Sequence, residues 1–474
     1  MPSKRYRLTL TVEGLVHIGD GGKYGKKDYF LTKQGTIAIL NVPSFVGKLD
    51  QDQLNDYCEF LKKDSRTGLQ EYLRRKGLDA VARGARLYTL DVRQDSYQYF
   101  SIWRFVKDAH GCPYVPGSSI KGMLRTAILI SLIARDRQAY ERLYNRGEVL
   151  KKRQRADEDI LRKAFWVGQL DRDGGSAVND VLRYLSVSDS DPLSVDDLVL
   201  AMKYDKFSQK DDGRHKKKLG KISDEEAYYQ GNELPIYREC LRPGTTIRTT
   251  LTVDERIGQY FDSLRLDRDG LPKALLFSYE LYQKCFLSHF DIDGEATSTK
   301  KEASSDGRCK YIYQSDRVAG TRCRNRAVGG TGYCNMHKKY ATVGGAAGGS
   351  AQDPICYLGG GIDFNTKTIE NALFVDEGRR LDEVSHILFD QFPTKLDEQR
   401  HAALKAEVQR AGFRSRPMDS QYKRNGQLKK AKEDHRHWCD GALGVSPHTL
   451  KMGKVQDKMY PMGKCRARFE ELEN

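Results

Sequence analysis

The sequence predicts an α+β protein, and three patterns carry that reading. Tyr6, Leu8, Leu10 and Val12 alternate with more polar neighbours, the period of a strand with one buried face. Ile120, Met123, Leu124, Ala127, Ile128, Ser131 and Leu132 share one helical face. Thr245, Ile247, Thr249, Leu251 and Val253 alternate again after the turn at Pro243 and Gly244.

The remaining elements follow in chain order. The first strand runs into GLVHIGDGGKYGKKDY, read as a glycine-rich loop holding Lys23, Lys26 and Lys27. Residues 36–42 read as a second strand, and PSFVGKLDQDQLNDYCEFLKK as a turn entering a helix. At YVPGSSIKGMLRTAI, Pro116 and Gly117 form a turn, and Ser118 or Ser119 is placed to cap the helix that follows. Lys121 and Arg125 lie four apart near that helix start, where cations gain nothing from the dipole. An anion beside the turn explains them, and so does a solvated basic face. Residues 161–170 close the helical part, and 184–188 form a short strand entering the turn DSDP. Strands and polar loops alternate over 197–251, and 271–290 is a helix candidate.

With 474 residues the chain is long enough for two domains and a small third. Its net charge of +15, from 80 basic and 65 acidic residues, favours a polyanionic partner. No run of 18 uncharged apolar residues occurs and the N-terminus enters a strand pattern directly, so neither a membrane span nor a signal peptide is expected. Residues 293–307 and 344–350 have linker composition and bracket a cysteine-bearing insert. Within it, Cys309, Cys323, Cys334 and His337 supply three thiolates and an imidazole, a tetrahedral set for one structural Zn²⁺. The gaps of 13 and 10 residues depart from a double CxxC, and unrelated thiols in a basic loop are the alternative. Scattered cysteines and a metal cluster suit a reducing cytoplasm.

Glycine recurs at 17–22, 357–368 and 444–454, where backbone can approach a ligand closely. None of these is a GxxxxGK[ST] phosphate loop or a dinucleotide fingerprint. Lys367, Lys451 and Lys454 are phosphate-contact candidates or ordinary loop lysines. His17 is the first residue a catalytic reading would choose, yet no nucleophile or carboxylate partner accompanies it. The pairs Asp171/Asp173 and Asp189/Asp191 fit turn caps better than Mg²⁺ ligands. His435 and His437 near Cys439 lack a fourth ligand.

In order along the chain, GLVHIGDGG, YVPGSSIKGMLRTAI, VSDSDP, ECLRPGTTIRTTLTV and YLGGGIDFNTKT resemble the fifth-subunit family of the type III-A CRISPR (Csm) effector complex, within the RAMP superfamily. The resemblance covers roughly residues 6–290 and 355–470. It implies modified RRM-like, ferredoxin-like cores with helical insertions. It also implies a non-catalytic subunit that binds the three-prime region of the CRISPR guide RNA. Such a subunit supports guide maturation, contacts the repeated backbone subunits and works with host maturation nucleases. Residues matching the family motifs are Gly19, Gly21 and Gly22, preceded by His17 and followed by the candidate contact Lys23, then Gly117, Ser118, Ser119, Lys121 and Arg125, then Gly359, Gly360, Gly361 and Lys367. Their implied work is contact with RNA phosphates and sugars. On this reading residues 1–255 form an N-terminal RAMP domain and 256–474 a C-terminal region, with the zinc insert at 308–340. A metal-dependent endoribonuclease and a zinc-stabilised scaffold without RNA contact are the alternatives. The cysteine-bearing insert departs from the family pattern.

Overall fold

The computed structural model describes residues 3–32, 35–63, 67–91, 100–149, 153–166, 179–209, 231–259, 270–291, 353–392, 402 and 438–473. The chain divides into two units, one of Met1–Phe290 with Asp353–Asn474 and one of Asp291–Gln352. The expected zinc ligands Cys309, Cys323, Cys334 and His337 lie outside the described residues, as do Asp171, Asp173, His435 and His437.

The first unit is a mixed α and β structure of mainly antiparallel sheets with helical insertions. Its five-stranded sheet is centred on β1 (Ser3–Val12). β10 (Thr246–Asp254) pairs with one edge of β1 and β14 (Lys464–Leu472) with the other. The sheet therefore joins residues from both ends of the chain. β7 (Leu185–Val187) extends it beyond β10, and β11 (Ile355–Tyr357) beyond β14. The alternation read in β1 is physical: Tyr6, Leu8, Leu10 and Val12 all enter the main core.

A six-stranded sheet runs in the order β13 (Lys458–Pro461), β12 (Thr449–Val455), β8 (Leu198–Phe207), β9 (Gly231–Leu241), β6 (Ile102–Phe105) and β2 (Gly19–Tyr24). Only the β6–β9 pair among these is parallel. Two of the expected glycine loops are thus largely strands. In β2 the glycines hide the alternation and the register shifts between Gly19 and Lys23, so no period shows. In β12, Gly453 makes room for Leu15 and Met462 against the sheet.

β3 (Tyr29–Leu31), β4 (Thr36–Leu40) and β5 (Arg86–Asp91) form a separate small sheet. Four helices accompany it: α1 (Val42–Val46), α2 (Gln51–Lys62), α3 (Leu69–Lys76) and α4 (Asp79–Arg83). Their own core holds Phe45, Tyr57, Phe60 and Tyr72. Asp50 and Gln53 close a capping box that starts α2.

The apolar helix is α5 (Gly117–Arg135), followed by α6 (Arg137–Val149) and α7 (Arg153–Phe165). Length and composition alone would let α5 cross a membrane. In this fold Ile120, Leu124, Ala127 and Ile128 are buried in the main core. α8 (Gly270–Cys285) packs against α5 and supplies Leu271, Ala274 and Leu275 to the same core.

Candidate nucleic-acid interface

Where α5 and α8 meet, a cleft of about 390 Å³ opens between the helices and the glycine segments. Ser118, Ser119 and Gly122 line it from α5, and Tyr279 and Tyr282 from α8. Gly19 enters from β2, and Tyr357, Gly359, Gly360 and Lys367 from β11 and the segment after it. Three sequence-distant motifs therefore converge on one cavity.

The two glycine segments are bonded to each other. The Gly360 amide donates to the His17 carbonyl at 2.7 Å. Gly359 has φ +94°, and a Cβ there would stand 2.3 Å from that same carbonyl oxygen. Only glycine fits this approach. His17 itself is buried, and its Nδ1 donates to the Glu239 carbonyl at 2.7 Å. Burial lowers its pKa, so the imidazole is neutral and braces the loop. Its partner residue is equally committed. The Glu239 carboxylate is buried and accepts from Tyr88 Oη at 2.6 Å, the Phe105 amide at 2.8 Å and Lys107 Nζ at 2.6 Å. A buried charge needs such satisfaction on every side.

The signature turn works differently from the sequence expectation. Pro116, not Ser118 or Ser119, occupies the N-cap position, and no side chain of its own caps the helix. Asp189 does so from the DSDP turn, accepting from the Gly117 amide at 2.7 Å. The carboxylate takes the place the sequence offered to a phosphate. Ser190 Oγ accepts from the Val115 amide at 2.9 Å and holds the same junction. Gly117 is required because a Cβ would lie 2.2 Å from the Val187 carbonyl oxygen. Asp189 is a cap, in keeping with its turn composition.

Lys121 and Arg125 lie on a neighbouring face of α5 and do not line this cleft. Arg125 pairs with Asp180 at 2.5 Å, lies over the Phe165 ring and borders a second cleft with Trp166. Burial holds Lys121 below its ordinary pKa, with Asp180 opposing the shift. Lys23 stands 3.8 Å over the Trp103 ring on β6. Gly22 packs under the Arg104 guanidinium, and the Gly22 amide donates to Asp20 Oδ1 at 2.7 Å. Gly21 has open space beside it, with φ +85°. Lys367 Nζ donates to the Gly359 carbonyl at 3.2 Å, and Gly361 lies beside Arg238. Among the described residues no group of three or more His, Cys, Asp or Glu side chains is placed to hold a metal.

Sequence reading missed the tyrosines of α8. Their spacing looks like an ordinary core stripe, and only the packing on α5 reveals the cleft. Tyr279 and Tyr357 have stacked rings 6.4 Å apart, and Tyr282 meets Tyr357 edge-on at 5.0 Å.

A family model of the RAMP superfamily matches residues 102–302. The protein named CRISPR system Cms protein Csm5 from Mycobacterium tuberculosis (strain CDC 1551 / Oshkosh) is 34% identical over 156 residues. Residues 102–302 are thus similar to the RAMP superfamily, and part of the chain is similar to Csm5. The Mycobacterium match spans 32% of this chain and 36% of that relative's length. The Csm5 of Streptococcus thermophilus is 24% identical over 316 residues, covering 61% of this chain and 74% of the relative. Among solved structures, the crystal structure of T. onnurineus Csm5 aligns with TM-score 0.46 and 20% identity, covering 77% of this chain and 93% of that one.

Proposed function

We propose that this chain is a non-catalytic guide-RNA-binding and assembly subunit of a type III-A Csm complex. It holds the three-prime region of the guide and supports guide maturation in the cytoplasm. One observation carries the reading. Gly19, Ser118, Ser119, Gly359, Gly360 and Lys367, from three separated segments, line a single cleft. Glycine walls let a phosphate backbone come close, and the serine hydroxyls and Lys367 offer donors to phosphate and ribose oxygens. Tyr279 and Tyr357, partly exposed at the cleft, give bases a face to stack on. Such contacts position an RNA without reading its sequence. The Csm5 names of the relatives agree with this role. Repeated backbone subunits are the neighbours it implies, and host nucleases the agents that trim the guide.

The test is co-expression of the complex with its guide, with and without this chain. The guide is expected to co-purify with the chain, and deletion to leave guides with heterogeneous three-prime ends. Lys367→Ala with Ser119→Ala should reduce the guide retained, equally for two unrelated spacers. Normal guide ends in an intact complex lacking the chain would overturn the reading.

A further inference from the structure

Strand pairing gathers three cations on the face of the six-stranded sheet that turns away from the main core. Val199 and Ala201 of β8 pack with Leu15, Cys240 and Met462 in a small separate cluster, whereas Leu198 and Leu200 enter the main core. Alternation therefore puts Lys203 and Asp205 on the outer face. Opposed residues share a face: three pairs cross the sheet in a row from β2 to β8, and a fourth lies further along β8. Lys23 opposes Trp103, Trp103 opposes Arg238, Arg238 opposes Ala201, and Asp205 opposes Lys451. From β2 to β8 the row spans about 14 Å at the usual strand spacing, and the Asp205 and Lys451 pair lies about 13 Å further along β8.

One carboxylate faces all three cations, ion-pairing with two and acting on Arg238 through its charge. Asp205 lies 3.1 Å from Lys451 Nζ and 3.5 Å from Lys203 Nζ. The other nearby carboxyl, Asp363, already accepts from the Lys451 amide and from Tyr282 Oη. Arg238 is partly buried and has no hydrogen-bond or ion-pair partner among the described residues. A Cβ at Gly361 would stand 3.5 Å from its Cζ, so the triple-glycine turn lies against the guanidinium with no side chain between them. A partly desolvated guanidinium with open donors calls for an oxyanion. Its planar fork suits a phosphodiester.

We propose that Arg238, Lys203 and Lys451 form a phosphodiester site for single-stranded RNA, reached over Gly361 from the cleft. The proposal rests on the RNA-binding reading above and adds a second surface to it. Lys23, ordered over Trp103, extends the row to the β2 edge.

The experiment titrates a fluorescein-labelled oligouridylate with the full chain by anisotropy at several salt concentrations. Arg238→Gln and Lys203→Gln should each weaken binding about tenfold, the cost of roughly 1.4 kcal/mol. Each should flatten the log-affinity against log-salt slope by about 0.7, one single-strand phosphate contact. Arg238→Lys should keep the wild-type slope while Arg238→Gln flattens it, a split that a merely structural arginine would not show. Thermal melts of each variant separate lost binding from lost folding, and Lys203→Gln carries the test if Arg238→Gln does not fold. Unchanged affinity and slope in both variants, with wild type binding normally, would overturn the site while leaving the guide-binding role standing. Displacement by polyglutamate but not by unlabelled oligouridylate would overturn it in favour of an acidic protein partner. A guide that fails to co-purify with the chain would instead remove the parent reading.

Discussion

Asp363 is a carboxyl group enclosed by the elements that build the interface. It is buried, accepts from the Lys451 amide at 2.8 Å and from Tyr282 Oη at 3.1 Å, and feels Asp205 nearby. Burial pushes its pKa up to about 7, against an ordinary 3.8, and the two hydrogen bonds oppose the shift. The folded state thus holds this proton more tightly than the unfolded chain. That stabilisation is complete below about pH 4 and disappears as pH rises through about 7. Asp363→Asn keeps an acceptor for the Lys451 amide and removes the titration. Wild type should therefore lose stability relative to Asp363→Asn across that window, by roughly 4 kcal/mol at most. Urea midpoints of the two proteins from pH 4.5 to 8 measure the difference. Parallel curves would show that Asp363 titrates near its ordinary value.

At the scale of elements, α5 separates two tasks that the sequence placed together. Its first two turns face the cleft through Ser118, Ser119 and Gly122, while Arg125 is turned to Asp180 and Phe165. Arg125→Gln should consequently cost stability, about 1 kcal/mol for a partly exposed pair. The same variant should leave RNA affinity and its salt slope unchanged. A flattened slope with normal stability would return Arg125 to the RNA contacts. The helix was legible because its apolar spacing is long and uninterrupted, and β1 and β10 because one face of each is buried. β2 was not, since an edge strand rich in glycine has neither alternation nor β-branched residues to show. Lys121 and Arg125 stood out in the sequence by their spacing, but spacing fixes a face without saying what lies opposite. Arg238 gave no local sign at all. Its character comes from β8, β12 and the triple-glycine turn, which are distant in sequence and meet only in the sheet.

At the scale of the whole molecule, the charge of +15 is a long-range attraction that brings a polyanion near. Cleft and sheet face are the places where it would become a specific contact. The unit Asp291–Gln352 holds the three thiols and imidazole of the insert. A segment with so few apolar residues has little core of its own, and a structural metal is the usual substitute. Cys309, Cys323, Cys334 and His337 are therefore proposed to bind one Zn²⁺ with all four positions filled by protein. Elemental analysis of the purified chain should find about one equivalent of zinc, as a four-ligand site requires. Cys334→Ser should lose that metal and raise proteolytic cleavage within residues 309–337, while the melting transition of the larger unit stays in place. Guide binding measured on the same variant then separates two roles for the insert. Unchanged binding assigns it to local stability, and weaker binding assigns its eight basic residues between Arg308 and Lys339 to the RNA as well. Wild-type protein purified without chelator and containing no zinc would end the metal assignment.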